Sequence, residues 1–451
     1  AMDRSDIRDY RRWHREAALR AKRAGFDVIY LYCHAGSSLN GDFLSRKRNR
    51  RSDEYGGSLE NRMRLLREVL EDTHEAVGDT CAIALRYVVD DQIGPDGTAD
   101  MAESRQIVEA LAEVPDLWDV NVREWRRDSM PSRFGPEGSQ EEFIGFVKKL
   151  TTKPVVGVGR FTSPDTMVSQ IKRGIIDFIG AARPSIADPF LPKQIEEGRG
   201  DDIRECIGCN MCVSSDFTMV PMRCTQNPTI GEEWRKDWHP EIIPAKGSED
   251  RVLIVGAGPA GLECARSLGN RGYAVTLAEA RDALGGRVHD ESRMAGLATW
   301  GRVRDYRVQQ IQRMPNVEVY LESRLTAADV LDYGFPKVVF ATGATWRRDG
   351  VGRWRADAVP GLAEITVLGP EDVFAGAPIE GPVVVYDDDR YYMGGVLAEQ
   401  LRLRGLDVTL VTPASDVSTW SIATLEQGWV EERLLPLRVT IIEKHGVTAT
   451  A

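Results

Sequence analysis

Four sulfurs stand at a spacing that suits metal chemistry. Cys206-Ile207-Gly208-Cys209-Asn210-Met211-Cys212 sets three thiols at two-residue gaps, and Cys224 follows after an eleven-residue gap. Three such thiols can turn inward on one tight loop, and a fourth from a neighbouring loop completes a four-sulfur set able to hold an iron–sulfur cube. Four thiolates also hold zinc, although zinc sites usually present their cysteines as two separated pairs. Cysteines with no metal at all are the third reading. A cluster implies one-electron traffic, and so electron donors and acceptors elsewhere in the chain.

A second chemistry begins at Arg251-Val252-Leu253-Ile254-Val255-Gly256-Ala257-Gly258-Pro259-Ala260-Gly261, where an apolar strand runs into G-x-G-x-x-G. The next strand, Ala274–Ala278, ends at Glu279, 18 residues after the third glycine. Strand, glycine turn, helix and acid at that distance together bind the ribose and pyrophosphate of an ADP-containing cofactor. The rival is a plain tight turn. Val338–Ala344 reads as a further buried strand that ends in small residues. Another nucleotide fold starts at Pro382–Tyr386, but Asp387-Asp388-Asp389-Arg390 stands where its glycine loop belongs. Three carboxylates repel a pyrophosphate, so this half reads as an NAD(P)-type fold without its ligand. An NAD(P) site with unusual loop chemistry is the alternative.

The elements that must position these groups are legible as alternating strands and helices. In residues 1–200 the strands fall at Asp27–Tyr32, Ala82–Val88, Leu117–Val122, Val155–Phe161 and Asp177–Arg183. Leu59, Met63, Leu66 and Leu70 share one face of a helix over 59–73, with Ser58 as its N-cap. Repeated β-then-α units imply a parallel sheet. The last two strands end in Gly157-Val158-Gly159-Arg160 and Gly180-Ala181-Ala182-Arg183, which resemble the phosphate cup of a (β/α)8 barrel. About five βα units are present where a closed barrel needs eight. The fold class is therefore α/β: a partial TIM barrel over 1–200, a cluster loop and linker over 201–248, a Rossmann domain over 249–375, and an incomplete, degenerate NAD(P)-type Rossmann domain over 376–451. The linker carries Trp234, Trp238, Pro240 and Pro244.

Bulk properties narrow the function. A chain of 451 residues that is 42% hydrophobic and 28% charged is an ordinary globular protein of two or three domains. A net charge of −11 argues against nucleic-acid binding. Cys33, Cys81 and Cys264 read as reduced core thiols, which fits a cytoplasmic location. No apolar run is long enough to span a bilayer, and no cleavable signal is visible.

Three motifs together carry a family resemblance: Arg51-Ser52-Asp53-Glu54-Tyr55-Gly56-Gly57-Ser58-Leu59-Glu60-Asn61-Arg62, the segment Gly180–Pro192, and the cysteine run. Over essentially its whole length the chain resembles the trimethylamine dehydrogenase and histamine dehydrogenase group of iron–sulfur flavoproteins, most closely the histamine dehydrogenases. That group joins an Old Yellow Enzyme-type barrel to a 4Fe-4S loop and a glutathione-reductase-like region. Against it, the chain lacks three barrel strands, the cysteine that bonds FMN, and the close of the last domain.

The resemblance implies FMN at the barrel mouth, with Arg86 beside the flavin ring and Gly159, Arg160, Ala182 and Arg183 at the phosphate. Solvated loop charges are the bland alternative for the arginines. Gly256, Gly258, Gly261, Glu279 and Arg287 are assigned to ADP, and Cys206, Cys209, Cys212 and Cys224 to the cluster. Tyr32, His34 and Asp128 take the places of the amine-oxidising tyrosine, histidine and aspartate. The histidine departs from the pattern: the family sets it three residues after the tyrosine, where this chain has Ala35, so His34 is either the substitute or a packing residue. Trp125 offers an aromatic face to a cation. Asp216, where the trimethylamine enzyme has tryptophan, suits a substrate with a second polar or cationic end, or else is an exposed acid.

These assignments lead to an expected function. A small, histamine-like primary amine is oxidised to aldehyde and ammonia, and electrons pass through FMN and the cluster to an electron-transferring flavoprotein. The full-length protein is expected to be a homodimer. Two alternatives stand beside this one. One is an NAD(P)H-dependent enoate or 2,4-dienoyl-CoA reductase of the same architecture with FAD in the Gly256 site. The other is an inactive truncated fragment.

Overall fold

The computed structural model describes residues 2–91, 100–122, 125–236 and 241–449. Of the linker residues named above, Trp238 and Pro240 lie outside them. The chain divides into two compact units, residues 1–130 with 136–182, and residues 131–135 with 183–451.

The first unit is built on five parallel strands in sequential order, β1 (Val28–Cys33), β2 (Ala82–Asp90), β3 (Leu117–Val122), β4 (Val155–Gly157) and β5 (Phe178–Ile179). All five fall where the apolar runs put them. The last two stop short because glycine turns follow at once. Residues in register across a parallel sheet share a face, and that face alternates along each strand. Leu31, Leu85, Trp118 and Val155 make one row, and all are buried. The next row, on the opposite face, is Tyr32, Arg86, Asp119, Val156 and Phe178. The sheet thus separates an apolar face from one that carries polar chemistry.

The helix Leu59–Val77 is capped by Ser58, whose hydroxyl accepts from the Asn61 N–H, and it buries Met63, Leu66 and Leu70 as the pattern requires. It runs one turn beyond Thr73, to Gly78. The polar stretch before it acts as a strut. Arg62 is 2% exposed and donates to the carbonyls of Leu44 and Gly57 and to both oxygens of Glu103. Asn61 donates to the Gly56 carbonyl, and Arg51 pairs with Asp53. These residues pin the long connection between β1 and the helix.

The second unit holds two parallel sheets. One has the order β8 (Val317–Tyr320), β7 (Val275–Ala278), β6 (Val252–Val255), β9 (Lys337–Phe340), and the other the order β10 (Val383–Tyr386), β11 (Val408–Val411), β12 (Thr440–Ile442). Strands β8 and β12 are absent from the sequence reading. Each is three or four residues long and mostly exposed, so neither shows an apolar run. The helix Tyr392–Leu403 packs Tyr392 and Met393 inward from its first turn. Met294, Leu297 and Val396 form a small core with Trp300, Phe374 and Tyr392, and the Tyr392 hydroxyl donates to Glu291. Among the described residues, no helix is long and apolar enough to cross a membrane.

Candidate active site and cofactor sites

In the first unit the polar row of the sheet gathers the expected oxidation residues. The Tyr32 hydroxyl lies 3.1 Å from Nδ1 of His34. The one-residue displacement of the histidine is accommodated simply: the chain stays extended past Cys33, so residues 32 and 34 share a face by period two. Arg86, in register with Tyr32, donates from Nη1 to Oδ2 of Asp119 at 2.7 Å. Asp128 ends the short helix Trp125–Asp128 and is held by Gln140, whose Nε2 donates to Oδ1 at 2.8 Å. Burial pushes the Tyr32 phenol above its ordinary range; Arg86 opposes the shift, and Asp128 adds to it. Tyr32, Arg86 and Asp128 therefore lie within electrostatic reach of one another. Trp125 is about half exposed.

The glycine turns after β4 and β5 are tightly built. A Cβ on Gly159 would meet Cα of Gly138 at 3.2 Å, and the Gly138 N–H donates to the Gly159 carbonyl at 2.7 Å. Arg160 is 6% exposed and holds φ at +54°, a left-handed conformation that side chains other than glycine adopt only under constraint. Ala182 is exposed at the start of a short helix.

Arg183 belongs to the second unit, where it donates to Oδ1 of Asn210 at 2.5 Å. Asn210, in the left-handed region at φ +54°, turns the chain between Cys209 and the helix Met211–Phe217. Its amide donates to the carbonyl of Thr424. Ser132 donates to the carbonyls of Ile207 and Gly208, and Arg302 to that of Cys206. The loop is thus pinned on several sides. Gly208 N–H points at Sγ of Cys206, 3.3 Å away, and Thr225 Oγ1 lies 3.2 Å from Sγ of Cys209. Burial pushes the Cys209 thiol up to about 12 and the Cys212 thiol up to about 11, and in both cases Cys206 and Cys224 add to the push. Cys209 and Cys212 thus each lie within electrostatic range of Cys206 and Cys224. Yet among the described residues no three of them lie within 4.8 Å of one another. Asp216 sits on the helix Met211–Phe217, not in a loop, and is exposed.

The three glycines after β6 divide their roles by space. Gly256, at φ +101°, lies against the β9 turn, where a Cβ would meet the Ala341 carbonyl oxygen at 2.4 Å. A Cβ on Gly261 would meet the Gly256 oxygen at 1.9 Å, so helix and strand pack through this point. A Cβ on Gly258 would meet nothing within 4 Å. In turns of this pattern the second glycine is the one that leaves room for a pyrophosphate to approach. Glu279, 6% exposed, accepts from the Ala257 N–H at 2.7 Å and the Arg281 N–H at 2.9 Å. Arg287 pairs with Glu291 and lies over the Trp346 ring. Its neighbour Gly286 passes so near the loop that a Cβ there would be 2.9 Å from Cα of Gly258.

Two carboxylates of the acidic loop after β10 are taken up by backbone N–H groups, one from the loop itself and one from residue 354. Asp387, 3% exposed, accepts from the Arg390 N–H, and Asp388 accepts from the Trp354 N–H at 2.9 Å and pairs with Arg390. Burial pushes Asp387 up to about 6.

A parallel barrel-type sheet with tight glycine turns after its last strands, followed by a Rossmann unit, is the composite architecture of a class of flavin oxidoreductases. Family models agree. Residues 1–202 match the NADH:flavin oxidoreductase / NADH oxidase family, and residues 254–323 an NAD(P)-binding Rossmann-like domain. The chain is 43% identical to the dimethylamine dehydrogenase of Hyphomicrobium sp. (strain x), over 96% of this chain and 60% of that protein. It superposes on histamine dehydrogenase from Rhizobium sp. 4-9 with a TM-score of 0.96 at 55% identity, covering 100% of this chain and 66% of that one. For 6-hydroxypseudooxynicotine amine oxidase from Pseudomonas geniculata N1 the TM-score is 0.94 at 53% identity, covering 100% and 68%. The chain belongs to the trimethylamine dehydrogenase and histamine dehydrogenase group of flavin oxidoreductases. It spans 60% to 68% of the length of these relatives.

Proposed function

We propose that this chain is the greater part of an amine dehydrogenase for small primary amines of the histamine type. The observation that carries the reading is the Tyr32–His34 hydrogen bond on the sheet face that also holds Arg86, with Asp128 in electrostatic range. An amine reaches the site as an ammonium and must lose a proton before its carbon can be oxidised. Tyr32, kept a neutral phenol by burial, accepts from the ammonium through its oxygen while its own proton is drawn toward His34 Nδ1. Asp128 adds negative charge where a cation must bind, and Trp125 offers its π-face.

The donor sets fit the expected cofactors. Gly159, Arg160, Ala182 and Arg183 would hold the FMN phosphate and Arg86 the ring, and the flavin when bound supplies the two-electron acceptor. Gly256, Gly258, Gly261, Glu279 and Arg287 would hold ADP. Cys206, Cys209, Cys212 and Cys224 would hold a 4Fe-4S cluster, a one-electron carrier. The triplet-plus-one spacing of the cysteines favours the cube over zinc, whose thiols usually come as two separated pairs. The self-occupied loop at Asp387 and Asp388 supports an acceptor other than NAD(P), for which we favour an electron-transferring flavoprotein.

The test is anaerobic reduction of the FMN-loaded chain. Histamine is expected to bleach the flavin and NADPH to leave it oxidised; the reverse pattern refutes the reading in favour of a reductase. Elemental analysis is expected to find iron. Zinc without iron overturns the cluster assignment.

A further inference from the structure

Asp119 has no part in the scheme above, yet it is the sole described residue that accepts a hydrogen bond from Arg86. It stands next to Arg86 in the polar row of the sheet, in register on β3, at 5% exposure. Its Oδ2 takes the Arg86 Nη1 proton at 2.7 Å, and its Oδ1 is buried with no partner among the described residues. Burial pushes the Asp119 carboxyl up, and Arg86 is the main opposing influence. Arg86 is part-exposed and has four further N–H donors that Asp119 does not take.

We propose that Asp119 is a positioning residue that aims the Arg86 guanidinium at the flavin and offsets its charge there. This rests on the flavin reading of the polar face. The geometry gives the guanidinium two sides. One nitrogen is anchored to a carboxylate fixed in the sheet, and the rest of the planar fork is left for an acceptor-rich planar group, which the pyrimidine edge of a flavin is. Because the anchor is anionic, the pair is close to neutral, and Arg86 acts as a directed donor more than as a free positive charge. A buried ion pair contributes little net stability, so holding the fold together is a weak reason for it.

Asp119→Asn keeps the shape and an acceptor oxygen but removes the charge. Arg86 then faces the flavin without its bonded counter-charge, leaving only the more distant Asp128, and favours anionic flavin species. Sulfite adds reversibly to oxidised flavin to give an anionic adduct, so its dissociation constant reports this charge without turnover. The FMN-loaded D119N chain is expected to bind sulfite at least tenfold more tightly, and its midpoint potential to rise. A tenfold change in the reduction equilibrium equals about 30 mV for a two-electron couple. A structural role alone would lower FMN retention and leave both quantities unchanged. That result, in a folded D119N chain, overturns the proposal.

Should D119N fail to fold, R86Q and the R86Q/D119N double variant are compared, since the latter leaves no unpaired charge. Both variants lack the guanidinium through which Asp119 acts, so the two are expected to agree within threefold in sulfite affinity. A larger difference overturns the action through Arg86. If the unaltered chain binds no FMN, the flavin reading itself fails and this proposal falls with it. If it binds FMN and the variants do not differ as stated, only the proposal falls.

Discussion

Substituting the glycines of the dinucleotide loop one at a time separates folding from ligand binding. At Gly261 an added methyl would sit 1.9 Å from the Gly256 oxygen and 3.3 Å from Cβ of Ala341. Carbon and oxygen prefer more than about 3 Å, so the turn must open by about 1 Å, at an overpacking cost of about 1–3 kcal/mol. At Gly258 the methyl enters open space, and the backbone there is extended (φ −69°, ψ 179°) and open to alanine. Alanine is a poorer N-cap but loses less chain entropy on folding, so the net change is within about 1 kcal/mol. Ligand binding inverts the order of harm, because the space beside Gly258 is the space a pyrophosphate needs. ADP at 100 times its dissociation constant adds about 2.7 kcal/mol to a protein that binds it. Urea unfolding with and without ADP is the assay. The unaltered chain should gain that increment and Gly258→Ala should gain none while matching its stability without ligand. Gly261→Ala should start lower. If Gly258→Ala is stabilised by ADP as fully as the unaltered chain, the loop is not the pyrophosphate cradle and the assignment of Gly256, Gly258 and Gly261 is wrong.

Three further outcomes are expected. Arg62→Ala strips a buried fork from Glu103 and two carbonyls and should destabilise the first unit by about 3–5 kcal/mol, with Arg62→Lys recovering less than half; a thermal shift near zero contradicts the strut. Glu426, buried near Arg133 and bonded to Thr424, has its carboxyl pushed by burial from 4.5 up to about 7. The fold prefers the neutral acid, so its stability is complete below pH 4.5 and falls by up to about 3 kcal/mol as pH rises to 7. Glu426→Gln should flatten that fall in denaturation midpoints taken at pH 5 and pH 8, and an unchanged slope refutes the assignment. Cys209→Ala should lose iron and sulfide while Cys264→Ser, at a thiol outside the set, keeps both; equal metal content in the two variants removes Cys209 from the ligands.

Local chemistry was readable from the sequence wherever one short segment contained it. The cysteine run, the glycine turn with Glu279 at its distance, the Ser58 cap and most of the apolar strands are patterns of a few neighbouring residues, and they lie where the pattern put them. The strand expected to be buried at 338–344, by contrast, is only Lys337–Phe340 and is largely exposed, with Phe340 at its open end. The displaced histidine was not legible in this way: the sequence left His34 open, and its hydrogen bond with Tyr32 is a finding of the structure. Strands as short and exposed as Val317–Tyr320 and Thr440–Ile442 leave no such pattern, since their place in the sheet comes from neighbours and not from burial of their own side chains.

What the tertiary structure alone decided is register. Tyr32, Arg86 and Asp119 are 54 and 33 residues apart in the chain, and become neighbours only because three parallel strands align at that row. The alternation of Asp119 and Asn121 within an otherwise apolar strand was the available hint of a polar face, but it cannot name the partner. The acidic loop is a similar case. The sequence fixes three adjacent carboxylates after β10, whereas the fold decides that two of them bind backbone N–H groups at 354 and 390. Periodicity is a property of one segment, while pairing is a property of two, and the free energy that selects one pairing is spread over every residue that packs behind it.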